Sequence, residues 1–166
     1  MSSKMFIAGT STEVGKTAIA LSFIKKFNQQ NLSTIAIKPI AAGCDQIEGK
    51  LYHEDAVALQ QAASIKLPYD TINPFAFAPS IAPHIAAHYR NVRLNKKAIN
   101  EKIIDAFEYT ADTYIIEGIG GWNVPLNGHE LQSDMIIDLK IPVVLVVGIT
   151  RTCLNDAIMT AQTIVK

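Results

Sequence analysis

Two glycines flank a five-residue spacer and are followed at once by a lysine and a threonine: Gly9-Thr10-Ser11-Thr12-Glu13-Val14-Gly15-Lys16-Thr17. Together these residue types meet the requirements for holding an oligophosphate. The glycines permit close backbone approach and left-handed dihedral angles. Backbone N–H groups of the spacer can line an anion nest, and a helix starting at Lys16 presents its positive end to the same point. Lys16 supplies a cation for β- and γ-phosphates, and the Thr17 hydroxyl can ligate Mg2+. The competing interpretation is a strand-to-helix turn with an incidental Lys-Thr, because the usual spacer has one residue fewer. An apolar run before the loop and a helical pattern after it favour phosphate binding.

Nucleotide chemistry also needs carboxylates, since Mg2+ takes oxygen ligands. Glu117 closes the apolar run Tyr114-Ile115-Ile116, which puts it at the carboxyl edge of a sheet, where a Walker B acid stands. An ordinary strand-end carboxylate is the alternative. Gly118, Gly120 and Gly121 follow and suit backbone approach to a ligand. Asp55 sits in the first turn of a predicted helix, where stabilising the helix dipole is the default role. Lys38 ends a second apolar run and is followed by Pro39; it is either a solvated charge or a group aimed by that abrupt stop. Asn155 suits the cap of the last helix. His53, His84, His88 and His129 show no spacing that compels a metal site. The i, i+4 pair His84/His88 reads as surface or loop packing.

The elements that must position these groups alternate. Met5–Ala8, Thr34–Ile37, Thr113–Ile116 and Val143–Val147 read as buried strands. Helices are expected from Lys16 towards a stop at Asn31, over Glu54–Ala63, from Pro83 through Ala87, over Asn95–Phe107 and over Asn155–Ile164. The proline-punctuated segment from Asn73 to Pro83 is expected to be irregular but packed, because it is unusually apolar for a loop. Strand–helix alternation implies an α/β fold of the P-loop NTPase type, with a mostly parallel sheet and helices on both faces.

The chain has 166 residues, 49% of them hydrophobic, enough for one domain with a proper core. Fifteen basic and fifteen acidic residues cancel, which argues against a nucleic-acid binder. Two cysteines, Cys44 and Cys153, lie far apart without a partner spacing, so neither a disulfide framework nor a zinc site is expected. The four-residue apolar run after Met1-Ser2-Ser3-Lys4 is too short for a signal peptide's apolar core, and no apolar run approaches membrane-spanning length. A cytoplasmic domain without membrane partners is expected. The predicted last helix is unfinished at Lys166, and a further C-terminal part is expected.

Taken together the chain resembles the dethiobiotin synthetase family. The resemblance rests on the phosphate loop with its extra residue, Lys-Pro-Ile-Ala-Ala-Gly from Lys38 and Glu-Asp-Ala-Val-Ala-Leu-Gln from Glu54. Two further stretches carry it: Asn-Pro-Phe-Ala-Phe through Ile-Ala-Pro-His-Ile-Ala-Ala from Asn73, and Glu-Gly-Ile-Gly-Gly-Trp-Asn-Val-Pro-Leu from Glu117. It implies that 7,8-diaminononanoate, CO2 (as bicarbonate in solution) and ATP become dethiobiotin, ADP and phosphate. A carbamate and a carbamic–phosphoric anhydride are the implied intermediates. It further implies Mg2+ on Thr17, Asp55 and Glu117, and nucleotide held by Glu13, Val14, Gly15, Lys16, Thr17 and Glu117. Lys16, Lys38 and Thr12 would be catalytic. Glu13, Lys38, Ala42, Gly118, Gly121 and Asn155 would meet the diamine, with Pro79–Pro83 flanking its chain. Asn155 would act from a second subunit, in a homodimer, at the helix start Thr152-Cys153-Leu154-Asn155.

Ala42 replaces a family serine, so one substrate hydroxyl contact is missing, and Thr152-Cys153 replaces the common Gly-Cys. Family members continue into a part that grips the adenine base. The alternatives are a switch ATPase acting through protein partners, a cobyrinate-type amide ligase, and a truncated inactive synthetase domain. A switch ATPase would carry a second lysine early in the loop, where Thr10, Ser11 and Thr12 stand. The amide ligase would need a glutamine-hydrolysing domain for which there is no room.

Overall fold

The computed structural model describes residues 2–165, and the expected ending at Lys166 lies outside them. In chain order the elements are β1 (Ser3–Gly9), α1 (Lys16–Gln29), β2 (Thr34–Ile37), β3 (Ile40–Ala42), β4 (Asp45–Ile47), β5 (Lys50–Tyr52), α2 (Glu54–Ala62) and α3 (Tyr69–Ile72). They continue as β6 (Phe75–Phe77), α4 (Pro83–Tyr89), α5 (Lys96–Phe107), β7 (Thr113–Glu117), α6 (Gln132–Leu139), β8 (Val143–Val146) and α7 (Cys153–Ile164).

The central sheet has the order β2-β7-β1-β8 with every pair parallel. Its strands read as continuous apolar runs because both faces are covered. Successive side chains alternate between the faces. Phe6, Ala8, Ile35, Ile37, Tyr114 and Ile116 point into one buried cluster, together with Ile99 and Ile103 of α5 and Met135 and Ile136 of α6. Ile7, Ala36 and Ile115 point into the other, which Ala20 and Ile24 of α1 and Leu59 of α2 complete. The predicted α/β architecture with helices on both faces is therefore observed.

Several elements differ from expectation. Phe75–Phe77, expected to be irregular, forms β6 and pairs in parallel with β3, Ile40 standing opposite Phe75. Its prolines bound the strand instead of interrupting it, and the Phe75 N–H donates to the Pro39 carbonyl at 3.0 Å. The hairpin of β4 and β5 turns through Glu48 and Gly49, both at positive φ. Its strands are too short and polar to show periodicity. Helix α7 starts at Cys153 with Thr152 at the N-cap, so Asn155 lies within the first turn and caps nothing. No residue of α7 is buried, and Leu154, Ile158 and Met159 are exposed. Among the described residues no helix is long and apolar enough to cross a membrane.

Candidate functional site

The loops at the carboxyl ends of the parallel strands surround a cleft of roughly 1040 Å3. Strand order decides what meets there. Because β7 lies between β1 and β2, Glu117 at its end falls between the loop after β1 and Lys38 after β2.

The loop joins β1 to α1 through Gly15, whose φ of 97° is the left-handed conformation that glycine tolerates best. Glu13 is also at positive φ, 59°, although it carries a side chain. Helix α1 has no acidic residue in its first turn, so the positive end of its dipole is uncompensated. Lys16 is buried and its Nζ donates to the Ser11 carbonyl at 2.9 Å, holding the ammonium over the loop. Burial lowers the Lys16 pKa and the Lys38 charge lowers it further, against the pull of Glu117 and Asp55.

Glu117 is fully buried, and its Oε1 accepts from Thr17 Oγ1 at 2.9 Å and from Lys38 Nζ at 2.5 Å. Lys38 Nζ also lies 3.2 Å from Asp55 Oδ2, so one buried ammonium bridges two carboxylates. Burial works to raise the Asp55 pKa, but Lys38, the Thr17 hydroxyl and His53 outweigh it, and the carboxyl is held below its ordinary value. His53 Nδ1 is 3.6 Å from Asp55 Oδ2, yet this is not an ion pair. The same nitrogen accepts from the Asp55 N–H at 3.2 Å, and burial, with Lys38, lowers the imidazole pKa. The ring is therefore neutral and serves as the cap of α2.

These groups fit a small, hard cation. Two carboxylates and one hydroxyl converge, all of them oxygen donors, and Glu117 Oε2 is buried with no hydrogen-bond partner among the described residues. No group of three or more His, Cys, Asp or Glu side chains gathers among the described residues, so phosphate oxygens or water would complete the shell.

Of the residues singled out in the sequence, Thr12, Glu13, Gly15, Lys16, Thr17, Lys38, Ala42, Asp55, Glu117 and Gly121 line this cleft. Asp55 thus faces Lys38 rather than only serving a helix dipole. Ser80, Ile81, Ala82 and Pro83 form a further wall. Gly121 is packed so closely on the loop that a Cβ there would stand 3.2 Å from the Thr10 carbonyl oxygen.

Three of the expected residues do not line the cleft. The Val14 side chain packs against Gly148, where a Cβ would come within 3.0 Å of it, and so braces the loop from outside. Gly118 faces Phe6 and Gln132 rather than the opening, because the turn is bound from behind at that point. Asn155 is exposed on α7, and its amide approaches Asp156 at 3.4 Å.

Sequence reasoning missed two residues that shape the site. The buried Gln132 amide holds the glycine turn, donating to the carbonyls of Ile119 and Gly121 at 3.2 and 2.8 Å and accepting the Ile119 N–H at 2.8 Å. His53 lines the cleft and fixes the start of α2. A polar residue three positions before an apolar pair gives no sign of the first, and a lone histidine before an acidic pair gives only a capping signal for the second.

A family model described as "AAA domain" matches residues 3–166. ATP-dependent dethiobiotin synthetase BioD of Pseudomonas aeruginosa (strain UCBPP-PA14) is 43% identical over 159 residues, 96% of this chain and 70% of the relative. The protein of the same name from Aeromonas salmonicida is 41% identical over 160 residues, 96% of this chain and 71% of the relative. That of Wigglesworthia glossinidia brevipalpis is 37% identical over 164 residues, 99% of this chain and 72% of the relative.

Proposed function

Because the chain belongs to the dethiobiotin synthetase family, we propose that it forms dethiobiotin from 7,8-diaminononanoate, CO2 and ATP. The observation that carries this is the convergence of Lys16, Thr17, Lys38, Asp55 and Glu117 in one cleft. It sets phosphate-binding, cation-binding and substrate-facing groups within reach of one another.

In this reaction one amine of the substrate adds to CO2 and loses a proton, giving a carbamate. A carbamate oxygen takes the γ-phosphoryl group of ATP, ADP departs, and a carbamic–phosphoric anhydride results. The second amine attacks the carbonyl carbon, phosphate leaves, and the ureido ring closes with loss of a proton. Such chemistry asks the protein mainly for orientation and charge stabilisation. Lys16 and the loop from Glu13 to Thr17 hold the phosphates, and Thr12 contacts the nucleotide. Lys38 stands against both the carbamate and the γ-phosphate, while Glu13 takes an amine of the substrate. Ala42 and Gly121 flank the substrate, and Gly118 serves it indirectly, through the turn that carries Gly121.

Thr17, Asp55 and Glu117 would hold Mg2+, which when bound supplies positive charge against phosphoryl oxygens. Asp55 is suited to this because Lys38 keeps it ionised. Asn155 serves the active site of a partner in a homodimer, near the substrate carboxylate. On this reading residues 1–166 are one nucleotide-binding domain that acts in the cytoplasm without nucleic-acid or membrane partners. The deciding experiment is phosphate release from ATP: it is expected only when diaminononanoate and bicarbonate are both present. Equal release without them would replace the synthetase by a switch ATPase.

A further inference from the structure

Lys38 and Asp55 are joined in front by their ion pair, and a second connection runs behind the cleft wall. The Asp55 N–H donates to His53 Nδ1 at 3.2 Å, and the His53 N–H donates to the Tyr69 hydroxyl oxygen at 2.8 Å. The Tyr69 hydroxyl donates to Asn73 Oδ1 at 3.3 Å, and Asn73 Nδ2 donates to the Lys38 carbonyl at 2.6 Å. Each link donates in the same direction, from α2 through α3 to the residue after β2. Burial pushes the Tyr69 phenol up, so it keeps the proton that it gives to Asn73. Asn73 is 3% exposed, and its amide spends both polar atoms on this chain. The Tyr69 ring is clamped by Tyr52, with centroids 4.7 Å apart, and the Lys38 N–H is tied to the Ile72 carbonyl at 2.9 Å.

We infer that Tyr69 and Asn73 are positioning residues that set the separation of Lys38 from Asp55. An ion pair alone would not do this. A lysine ammonium on a four-carbon stem follows its carboxylates wherever they go, so the ion pair keeps contact without defining place. The polar chain instead fixes the backbone from which each side chain springs. With both backbones held, the ammonium stays between Asp55 and Glu117 rather than drawing Asp55 toward itself. This inference rests on the proposed role of Lys38 at the carbamate and γ-phosphate.

The test uses Tyr69→Phe, which removes one oxygen atom and keeps the ring packing, with Asn73→Leu and the double variant beside it. The first readout needs no turnover: the rate at which an amine-acylating ester modifies Lys38, followed by peptide mass spectrometry. Tyr69→Phe is expected to raise that rate at least about fivefold through local loosening, while Lys97, on the surface, reacts as before. The second readout is kcat with diaminononanoate, bicarbonate and ATP, expected to fall about tenfold, as for outer-shell partners generally, with KM for ATP within about twofold. The double variant should be no worse than Asn73→Leu alone, because one broken link opens the chain. Unchanged Lys38 reactivity in Tyr69→Phe overturns the inference, whatever happens to kcat. A parallel rise at Lys97 also overturns it, since the oxygen then matters only to general stability. If the wild-type chain shows no diamine-dependent turnover, the synthetase reading fails, and Lys38 reactivity still decides the positioning role.

Discussion

Glu117 is the carboxylate on which a hydroxyl and an ammonium of the cleft converge. One oxygen accepts from a hydroxyl and an ammonium, and the other is buried without a hydrogen-bond partner among the described residues. A buried carboxylate is sustained only by such compensation. Glu117→Ala therefore removes a proposed cation ligand and leaves the Lys38 ammonium half-neutralised. Phosphate release with all substrates present is expected to fall at least about 100-fold, as for loss of a group that stabilises developing charge. Lys16→Ala should do the same. Ala42 is a milder case. It lines the cleft, half-buried, and offers no hydroxyl. Ala42→Ser adds one hydrogen-bonding group next to the substrate, and KM for the diamine should drop about two- to tenfold, the worth of one net hydrogen bond. Steady-state kinetics at saturating ATP measure this directly.

At the scale of elements, the supports of the site are capped and tied by side chains whose partners are distant in sequence. Asn95 caps α5, its Oδ1 accepting the Ala98 N–H at 2.8 Å. Glu130 then joins the start of α5 to the loop before α6, accepting from the Lys96 N–H at 3.0 Å and from Asn127 at 2.7 Å. The Asn127 amide, followed by the Lys96 N–H, holds the Glu130 carboxyl below its ordinary value. A folded-state pKa below the unfolded one means stability that is present above the unfolded value, near pH 4.3, and lost as pH falls through the folded value. Glu130→Gln removes that contribution. Melting temperatures recorded from pH 7 down to pH 3 should fall more steeply for the wild type than for the variant.

For the whole molecule, the proposed homodimer turns on α7, the helix that follows the edge strand β8. Leu154, next to Asn155, is 77% exposed, and Ile158 lies one turn further along the same side of the helix. The proposed homodimer would cover this face and bring Asn155 to a neighbouring site. Light scattering on the eluting protein should give twice the chain mass. Leu154→Glu, which sets a charge in that contact, should shift the protein to monomer and raise KM for the diamine. A monomeric wild type with full turnover would remove Asn155 from the substrate site.

Much of this protein is legible in its sequence because the relevant physics is local. A glycine-flanked loop before a helix, with Lys16 and Thr17 at its start, declares an anion site through backbone geometry and charge that need no distant partner. Runs such as Tyr114-Ile115-Ile116 declare buried strands through apolar content alone, and Asn95 declares its helix start through its side chain. Only the tertiary structure decided the rest. Thr17 and Glu117 are 100 positions apart and Lys38 and Glu117 are 79 apart, and they meet because β7 inserts between β1 and β2. No local pattern encodes strand order. The same holds for β6, whose partner β3 lies far upstream, and for Asp55, whose first-turn position spoke of a dipole until Lys38 stood 3.2 Å away. Asn73 reads as the start of an irregular segment and Tyr69 carries no signal at all, and only the path of the chain behind the cleft turns them into a link between Lys38 and Asp55. Hydrogen bonds and ion pairs act over a few ångströms, so their partners are chosen by the packing of whole elements rather than by neighbours in sequence.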